Sequence, residues 1–281
     1  MSSGTKKVTP GGVLLAICLI SVVQAASLAI TEMNVPTYIS IGYSYEPFGT
    51  SSAGSVLGVL ALVAVVFATT VLLAWIARRR MTLSFKLFVF LATSTSAFIL
   101  TLITADGVLY RYVDGRFLAP VEILVSLAPV AGIAYTVFVK EVRAVSAAVL
   151  GLIAAEVGSY FASTLPLTTA VLLPSAFALY DVYAVFRGPL KQLVSVSPTA
   201  LGALSVRVGE FTVGMGDLVF YSMLPSLALF YSGLQQSLLV IVSVDLGVAA
   251  TLYMLRRRRL LPGLPIPIAL GLAALLAAGV L

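Results

Sequence analysis

Five acidic residues lie inside long apolar stretches of this sequence, where an ionisable side chain is costly and is therefore a candidate for function. They are Glu122, Glu156, Asp181, Asp217 and Asp245. The chain contains no histidine and a single cysteine, Cys18. Chemistry that depends on a histidine relay, a disulfide framework or several cysteines around a metal is therefore excluded. The groups left to react are carboxyls, hydroxyls, lysine and arginine.

Two of these acids are predicted to lie at matching depth in a membrane. Asp181 stands six residues before Arg187, and Asp217 stands seven residues after Glu210. At the rise of an α-helix, these spacings place the two carboxyls ~9 Å and ~10 Å inside the same membrane edge. The two apolar stretches are consecutive, so the helices are antiparallel and are expected to be neighbours.

A pair of facing carboxyls supports one well-defined reaction. Two carboxyls in a poorly hydrated place cannot both ionise easily, so the pair holds one shared proton. One carboxylate takes a proton from water as the water attacks a peptide carbonyl, and the other acid protonates the developing oxygen and then the leaving amine. Asp181 and Asp217 therefore predict peptide hydrolysis without a metal or an organic cofactor. Alternatively, each aspartate is a lone polar residue bonded to a hydroxyl or a backbone carbonyl.

The elements that hold these acids are predicted to be membrane-spanning helices. Of the 281 residues, 60% are hydrophobic and 10% are charged, and the mean hydropathy is +1.10. Ordinary soluble domains are about a quarter charged. The apolar runs are long enough to cross a bilayer as helices and do not alternate as the strands of a transmembrane barrel do. We therefore predict an all-α, polytopic membrane protein that forms one membrane domain over residues 1–281.

The apolar runs divide into nine predicted spans, and we expect the first to be a retained helix rather than a signal peptide. Spans 1–5, in residues 1–162, would be a scaffold, and spans 6–9, in residues 163–281, would carry the two aspartates. The spans are Val13–Ile30, Val56–Ala77, Phe85–Ala105, Leu118–Val139, Ala144–Phe161, Leu167–Phe186, Phe211–Tyr231, Ser237–Leu255 and Ile266–Leu281.

The basic residues predict the orientation of these spans. With nine spans, 15 of the 17 lysines and arginines fall on one side of the membrane, and only Arg111 and Arg116 fall on the other. The positive-inside rule then places the N-terminus in the cytoplasm and the C-terminus outside. Because these basic residues sit at the ends of apolar runs, we attribute them to topology and lipid headgroups rather than to nucleic acid.

Small and aromatic residues adjoin the two aspartates. Gly214, Met215 and Gly216 immediately precede Asp217. A glycine inside a helix costs ~1 kcal/mol relative to alanine, but it lets another backbone approach closely, either a packed helix or an extended substrate. Tyr180 precedes Asp181, and its hydroxyl could bind a carboxylate or a substrate, unless the ring simply packs in the bundle.

Prolines predict an irregular segment before the last span. Three prolines fall within Pro262–Ile268, where they remove backbone donors and oppose a regular helix. Non-helical backbone at membrane depth is tolerated only when it is buried in protein or lines water. Such a segment could accept an extended substrate by strand-like pairing, or it could be a loop that ends before the helix.

Together these motifs resemble those of the presenilin and signal peptide peptidase family of intramembrane aspartyl proteases. Tyr180-Asp181 on the sixth span matches the family's YD motif, and Gly214–Asp217 on the seventh matches GxGD. Pro262-Gly263-Leu264 before the ninth span matches PAL, with Gly263 in place of alanine. The order of the motifs, the numbers of their spans and the total of nine spans all agree with the family.

The resemblance implies a presenilin-like fold and an aspartic endopeptidase that cleaves within transmembrane segments of membrane proteins. Asp181 and Asp217 would be catalytic, without a metal or cofactor, and the residues implied in substrate binding are Tyr180, Gly214, Met215, Gly216, Pro262, Gly263 and Leu264. The loop from Arg187 to Glu210 is short, which favours a compact enzyme like the microbial presenilin homologues. We expect this enzyme to lie in the cell membrane and to need no accessory subunit.

Two other functions remain as alternatives. In an ion- or proton-coupled transporter, Glu156 and Asp245 would join the two aspartates along a path, and a broken helix would suit that class. In a protease these two acids most simply accept hydrogen bonds within the bundle, while Glu122 lies near the membrane interface. A non-catalytic scaffold would leave the matched depth of Asp181 and Asp217 unexplained.

Overall fold

The computed structural model describes residues 9–41, 51–78, 82–139, 142–187, 205–255 and 261–281. Within these ranges the chain forms nine α-helices, one short π-helical segment (Tyr135–Val139) that continues α4, and one β-hairpin of two strands. In chain order, the elements are α1 (Pro10–Ile41), α2 (Ser52–Arg78), α3 (Thr82–Leu109), α4 (Gly115–Ala134), α5 (Arg143–Thr164), α6 (Leu167–Phe186), β1 (Ser205–Val208), β2 (Phe211–Gly214), α7 (Met215–Ser232), α8 (Leu234–Leu255) and α9 (Pro265–Ala277).

The helices have the length and surface of membrane spans. Seven of those described, α1–α6 and α8, are long and apolar enough to cross a bilayer. Large apolar side chains such as Leu14, Val22 and Leu60 remain exposed on their outer faces, as expected of helices that meet lipid. The chain is therefore an integral, multi-pass membrane protein, and the predicted all-α architecture is confirmed.

Helix α7 lies at the centre of the bundle. It packs against α5, α1, α8 and α9, and the contact with α5 is the most extensive. Every residue from Leu218 to Ala228 is buried, so this helix contacts protein rather than lipid and needs no continuous apolar surface. Helix α6 packs instead against α2 and α9. It meets α7 through the rings of Phe177 and Phe220, whose centroids are 5.0 Å apart and whose planes are tilted by 37°.

A buried polar face attaches α1 to this centre. Gln24, Ser27 and Thr31 have no exposed surface. Ser27 shares a hydrogen bond of 2.8 Å with Ser226 of α7, and Thr31 donates one of 2.8 Å to Ser159 of α5. The Gln24 amide also donates to the backbone carbonyl of α7 at residue 221, at 3.3 Å. These bonds, rather than apolar burial, give α1 its specific place among helices surrounded by lipid.

Two of the other intramembrane acids, Glu156 and Asp245, bond to hydroxyls, as hydrogen bonding within the bundle predicts. The carboxylate of Glu156 is buried and shares the one hydroxyl proton of Thr101, whose Oγ1 lies 2.9 and 3.1 Å from its two oxygens. Asp245 on α8 accepts one from Ser21 of α1 at 2.8 Å. Glu122, expected at an interface, is buried on α4. Glu156 and Asp245 thus hold neighbouring helices together.

The predicted start of the seventh span, at Phe211, is wrong. Residues Phe211–Gly214 form β2, which pairs antiparallel with β1 so that Val206 faces Val213 and Val208 faces Phe211. The two strands bury these four apolar side chains, and Gly209 takes the turn conformation at φ +58° that other residues avoid. Apolar and polar residues alternate on both sides of Gly209, which is a hairpin signal. This alternation decides the local structure, and the helix begins only after it.

The irregular segment predicted for Pro262–Ile268 is shorter than expected. Among described residues 261–268, only Leu261–Leu264 are non-helical, and α9 begins at Pro265. A proline at the first helical position loses no intrahelical hydrogen bond, because its missing N–H would have no partner there. The prolines therefore start this helix instead of preventing it.

The predicted orientation depends on residues that the structure describes only in part. Lys6, Lys7 and the arginines at 256–259 lie outside the described residues. The cytoplasmic N-terminus and external C-terminus therefore stay a prediction.

One close contact fixes where α9 lies, and it yields a stability prediction. A methyl group at Gly247 of α8 would come within 2.5 Å of the Pro267 Cα atom and 2.8 Å of its nitrogen. Both are backbone atoms, so the helices must separate, and we expect Gly247→Ala to cost about 1–3 kcal/mol. The measurement is thermal unfolding in detergent, with Gly115→Ala as the control because no atom lies within 4 Å of the added methyl. Equal melting temperatures for the two variants would contradict this packing.

Candidate active site

Asp217 lies in the first turn of α7, directly after the hairpin. Strand β2 continues in extended conformation to Gly214, which caps the helix at φ −67° and ψ 143°. Asp217 is the third helical residue, and its carboxyl is within hydrogen-bonding reach of the Gly214 N–H. This is the position from which a carboxylate stabilises the free N–H groups and the positive end of a helix. The hairpin and the helix start thus fix this side chain together.

Asp181 lies near the end of α6 and contacts the segment before α9. Its Oδ2 atom accepts a hydrogen bond of 3.1 Å from the backbone N–H of Leu264. Leu264 is the N-cap of α9, so its N–H has no partner within the helix and is free to bind the carboxylate. A backbone donor therefore sets the position of the Asp181 carboxyl.

Gly263 lies against the other carboxyl. A methyl group at Gly263 would be 3.0 Å from Asp217 Oδ2 and 3.3 Å from its Cγ atom. The Gly263 carbonyl accepts a hydrogen bond of 2.8 Å from the hydroxyl of Tyr221, one turn further along α7. The absence of a side chain at residue 263 is what lets this backbone approach so closely.

The dipeptide Gly263-Leu264 therefore brings the two predicted aspartates together. Asp217 contacts its first residue and Asp181 its second, and the two carboxyls are close enough to interact electrostatically. Both side chains are half-buried. Two carboxyls around one small space, with a peptide backbone already beside them, can hold a water molecule and exchange protons with it. Within the described ranges, no group of three or more acids and cysteines could hold a metal ion.

The glycines before Asp217 have different surroundings. Gly216 is exposed, and no atom lies within 4 Å of the place its side chain would occupy. Gly214 and Pro262 are half-buried, and Met215 packs against the hydrophobic core. Open space next to the acid is therefore found at Gly216, in the first turn of α7.

Tyr180, which the sequence places beside a substrate or a carboxylate, contacts α2. Its ring meets the edges of Phe67 and Phe177, with centroids 6.4 and 6.3 Å away. Its hydroxyl donates a hydrogen bond of 3.4 Å to Thr70. Tyr180 thus helps to attach α2 to α6, which are neighbours at the edge of the bundle.

Tyr221 is a residue of this site to which the sequence analysis assigns no role. No motif predicts its contact with the Pro262–Leu264 segment. Its ring is buried. The available signal is a tyrosine one helical turn after Asp217 on the same helix, since residues four apart share a face. That signal names no partner, because the partner is a backbone carbonyl more than forty residues away.

Loss of the Tyr221 hydroxyl should weaken the site measurably. Tyr221→Phe leaves the Gly263 carbonyl without this partner, and we expect a loss of about 1 kcal/mol in unfolding free energy. The measurement is thermal unfolding in detergent. Tyr112→Phe is the control, because Tyr112 is 82% exposed. If both variants have the melting temperature of the unmodified protein, the hydrogen bond contributes nothing to stability.

Comparison with known proteins agrees with this geometry at the level of the fold. The chain matches no protein-family model, and no curated protein is significantly similar to it in sequence. Two solved structures, both of a presenilin family intramembrane aspartate protease, superpose on nearly its whole length. One has a TM-score of 0.68 at 19% identity and covers 95% of this chain and 98% of its own. The other has a TM-score of 0.63 at 19% identity and covers 98% and 99%. The chain therefore has the fold of those proteases, as the resemblance of its motifs implies.

Proposed function

We propose that the chain is an intramembrane aspartyl protease that hydrolyses peptide bonds within transmembrane segments. The observation that carries this proposal is the convergence of two carboxyls on one dipeptide. Asp181 accepts the Leu264 N–H at 3.1 Å, and Asp217 lies against Gly263. The fold shared with presenilin family intramembrane aspartate proteases supports the same activity.

The proposed reaction uses the two carboxyls as one acid–base pair. One carboxylate removes a proton from a water molecule, whose oxygen attacks the carbonyl carbon of the scissile peptide. The other aspartic acid gives its proton to the carbonyl oxygen, which forms a tetrahedral gem-diol. In the collapse of the gem-diol, one hydroxyl returns its proton to the ionised carboxylate, the C–N bond breaks, and the amine leaves with the proton of the other aspartic acid. The products are a carboxylic acid and an amine, and the pair again holds one proton.

The substrate must reach this pair as an extended strand. A helical peptide bond is shielded by its own hydrogen bonds, so the substrate helix has to unwind locally. We assign this segment to the open side at Gly216, between the Gly214–Gly216 run and Pro262-Gly263-Leu264. Open space beside Gly216 and the close approach of Gly263 to Asp217 support the assignment. Tyr180, which contacts α2, would act on the substrate only by holding this neighbouring helix.

The rest of the proposed organisation rests on the sequence patterns. Residues 163–281, which contain α6–α9, carry the reaction, and residues 1–162, which contain α1–α4 and most of α5, form the scaffold. We further infer a cytoplasmic N-terminus, a place in the cell membrane, and an enzyme that works without accessory subunits. Its partners are then transmembrane substrates and the lipid bilayer.

The transporter alternative is less well supported. It needs Glu156 and Asp245 along a common path with the two aspartates. Instead, Glu156 is engaged by Thr101 of α3, and Asp245 by Ser21 of α1. Neither contact involves Asp181, Asp217 or the segment before α9.

Conservative changes at the acids separate the two functions. Asp181→Asn or Asp217→Asn alone should abolish cleavage of a model transmembrane substrate by purified protein, a loss of about 10⁴-fold or more, since neither amide can exchange a proton with water. The fold should survive, because an amide oxygen can still accept the Leu264 N–H.

Asp245→Asn is the matched control, since it makes the same change in another membrane helix. It should retain cleavage. Full activity in either Asp181→Asn or Asp217→Asn would refute the assignment. Loss of proton or solute movement in liposomes on Asp245→Asn, without any peptidase activity in the unmodified protein, would support transport.

A further inference from the structure

The turn of the hairpin is bonded to the beginning of α1. Glu210, in the two-residue turn between β1 and β2, accepts two hydrogen bonds at its Oε1 atom. One comes from the backbone N–H of Thr9 and the other from the Thr9 hydroxyl, both at 2.6 Å. The same hydroxyl accepts the N–H of Gly12 at 3.2 Å. A carboxylate at this place also meets the positive end of the α1 dipole, and charge-assisted bonds of this kind are strong ones.

Two glycines make this contact possible. A methyl group at Gly12 would be 2.7 Å from Glu210 Oε1 and 3.1 Å from its Cδ atom. In the turn, Gly209 has φ +58°, and the place of its side chain is 3.5 Å from the Cα atom of Gly12. Residue 12 must therefore lack a side chain for the Glu210 carboxylate to keep its place, whereas the glycine at residue 209 is needed for its positive φ, since 3.5 Å is an ordinary contact distance.

The chain leads from this contact directly to one of the two carboxyls. Glu210 is followed by β2 and by the Gly214 cap, and Asp217 is the third residue of α7. The strand and the first turn of the helix are continuous and hydrogen-bonded, so a shift of the turn moves the start of α7. Helix α1 is itself fixed to α5 and α7 by its buried polar face.

We propose that Glu210 is a positioning residue: its bond to Thr9 holds the hairpin against α1 and thereby keeps Asp217 in register with Asp181. This inference rests on the proposed protease activity. The Glu210 carboxylate does not touch the substrate or the reacting atoms. It acts through the hairpin, and small displacements of a reacting group cost large factors in rate.

Adjacent glycines of α1 provide the sharpest test. Gly12→Ala places a methyl group against the Glu210 carboxylate, which must move away from Thr9. Gly11→Ala adds the same methyl in the same helical turn with no atom within 4 Å. We expect Gly12→Ala to lower kcat on a model transmembrane substrate about tenfold or more, with KM changed less than kcat. Gly11→Ala should leave both constants unchanged.

The carboxylate itself is tested by a second set of variants. Glu210→Ala should lower kcat as Gly12→Ala does, while Glu210→Gln, which keeps an oxygen acceptor for Thr9, should restore most of the rate. Glu32→Ala is the control, because it removes an exposed glutamate further along α1. Hydrogen exchange of the amides in residues 205–214 should quicken in Glu210→Ala and Gly12→Ala and stay unchanged in both controls.

The outcomes separate this inference from the proposed function. If the unmodified protein cleaves and Gly12→Ala and Glu210→Ala keep its kcat, the positioning role is refuted and the protease assignment stands. A fall in kcat that Glu210→Gln does not reverse, together with an equal loss in Gly11→Ala, also refutes it. If Glu210→Ala does not fold, the Gly12→Ala and Gly11→Ala pair decides. An inactive unmodified protein overturns both proposals.

Discussion

The backbone of Gly263 and Leu264 has to meet carboxyls from two different helices at once, and much of the described structure serves that requirement. The N–H of Leu264 is available to Asp181 because α9 begins immediately after it with a proline. The approach to Asp217 is possible because residue 263 has no side chain. Helices α6 and α7 contact each other little, so this short segment, more than direct packing of the two helices, sets the separation of the acids.

Each helix that carries an acid is held by a different part of the bundle. Helix α7 is enclosed by α1, α5, α8 and α9, whereas α6 depends on α2 and α9. Helix α9 is the common neighbour of both, and its start is fixed in turn by the close contact of Gly247 with Pro267. The relative position of the two acids is thus set by the contacts of α9 with α6, α7 and α8.

The sequence predicts the helices and the two acids well, because both depend on properties that a local pattern contains. Long apolar runs locate the membrane helices, and Asp181 and Asp217 stand out as costly charges at equal depth. The predicted start of α7 at Phe211 falls in the hairpin instead, because a few apolar residues fit the helical period of 3.6 and the strand period of 2 equally well. The contacts of Tyr180, Tyr221 and Glu210 were beyond prediction, because each is with a group distant in the chain and, for Tyr221, with a bare carbonyl.

The polar face of α1 has a consequence for biosynthesis. This helix is made before α5 and α7, yet its hydroxyls bond to Ser159 and Ser226, which follow their partners by 128 and 199 residues. Until those later helices enter the bilayer, Gln24, Ser27 and Thr31 have none of these partners. The polar face of α1 is therefore satisfied in stages: α5 supplies Ser159, α7 then supplies Ser226 and the carbonyl of residue 221, and α8 last brings Asp245 to Ser21.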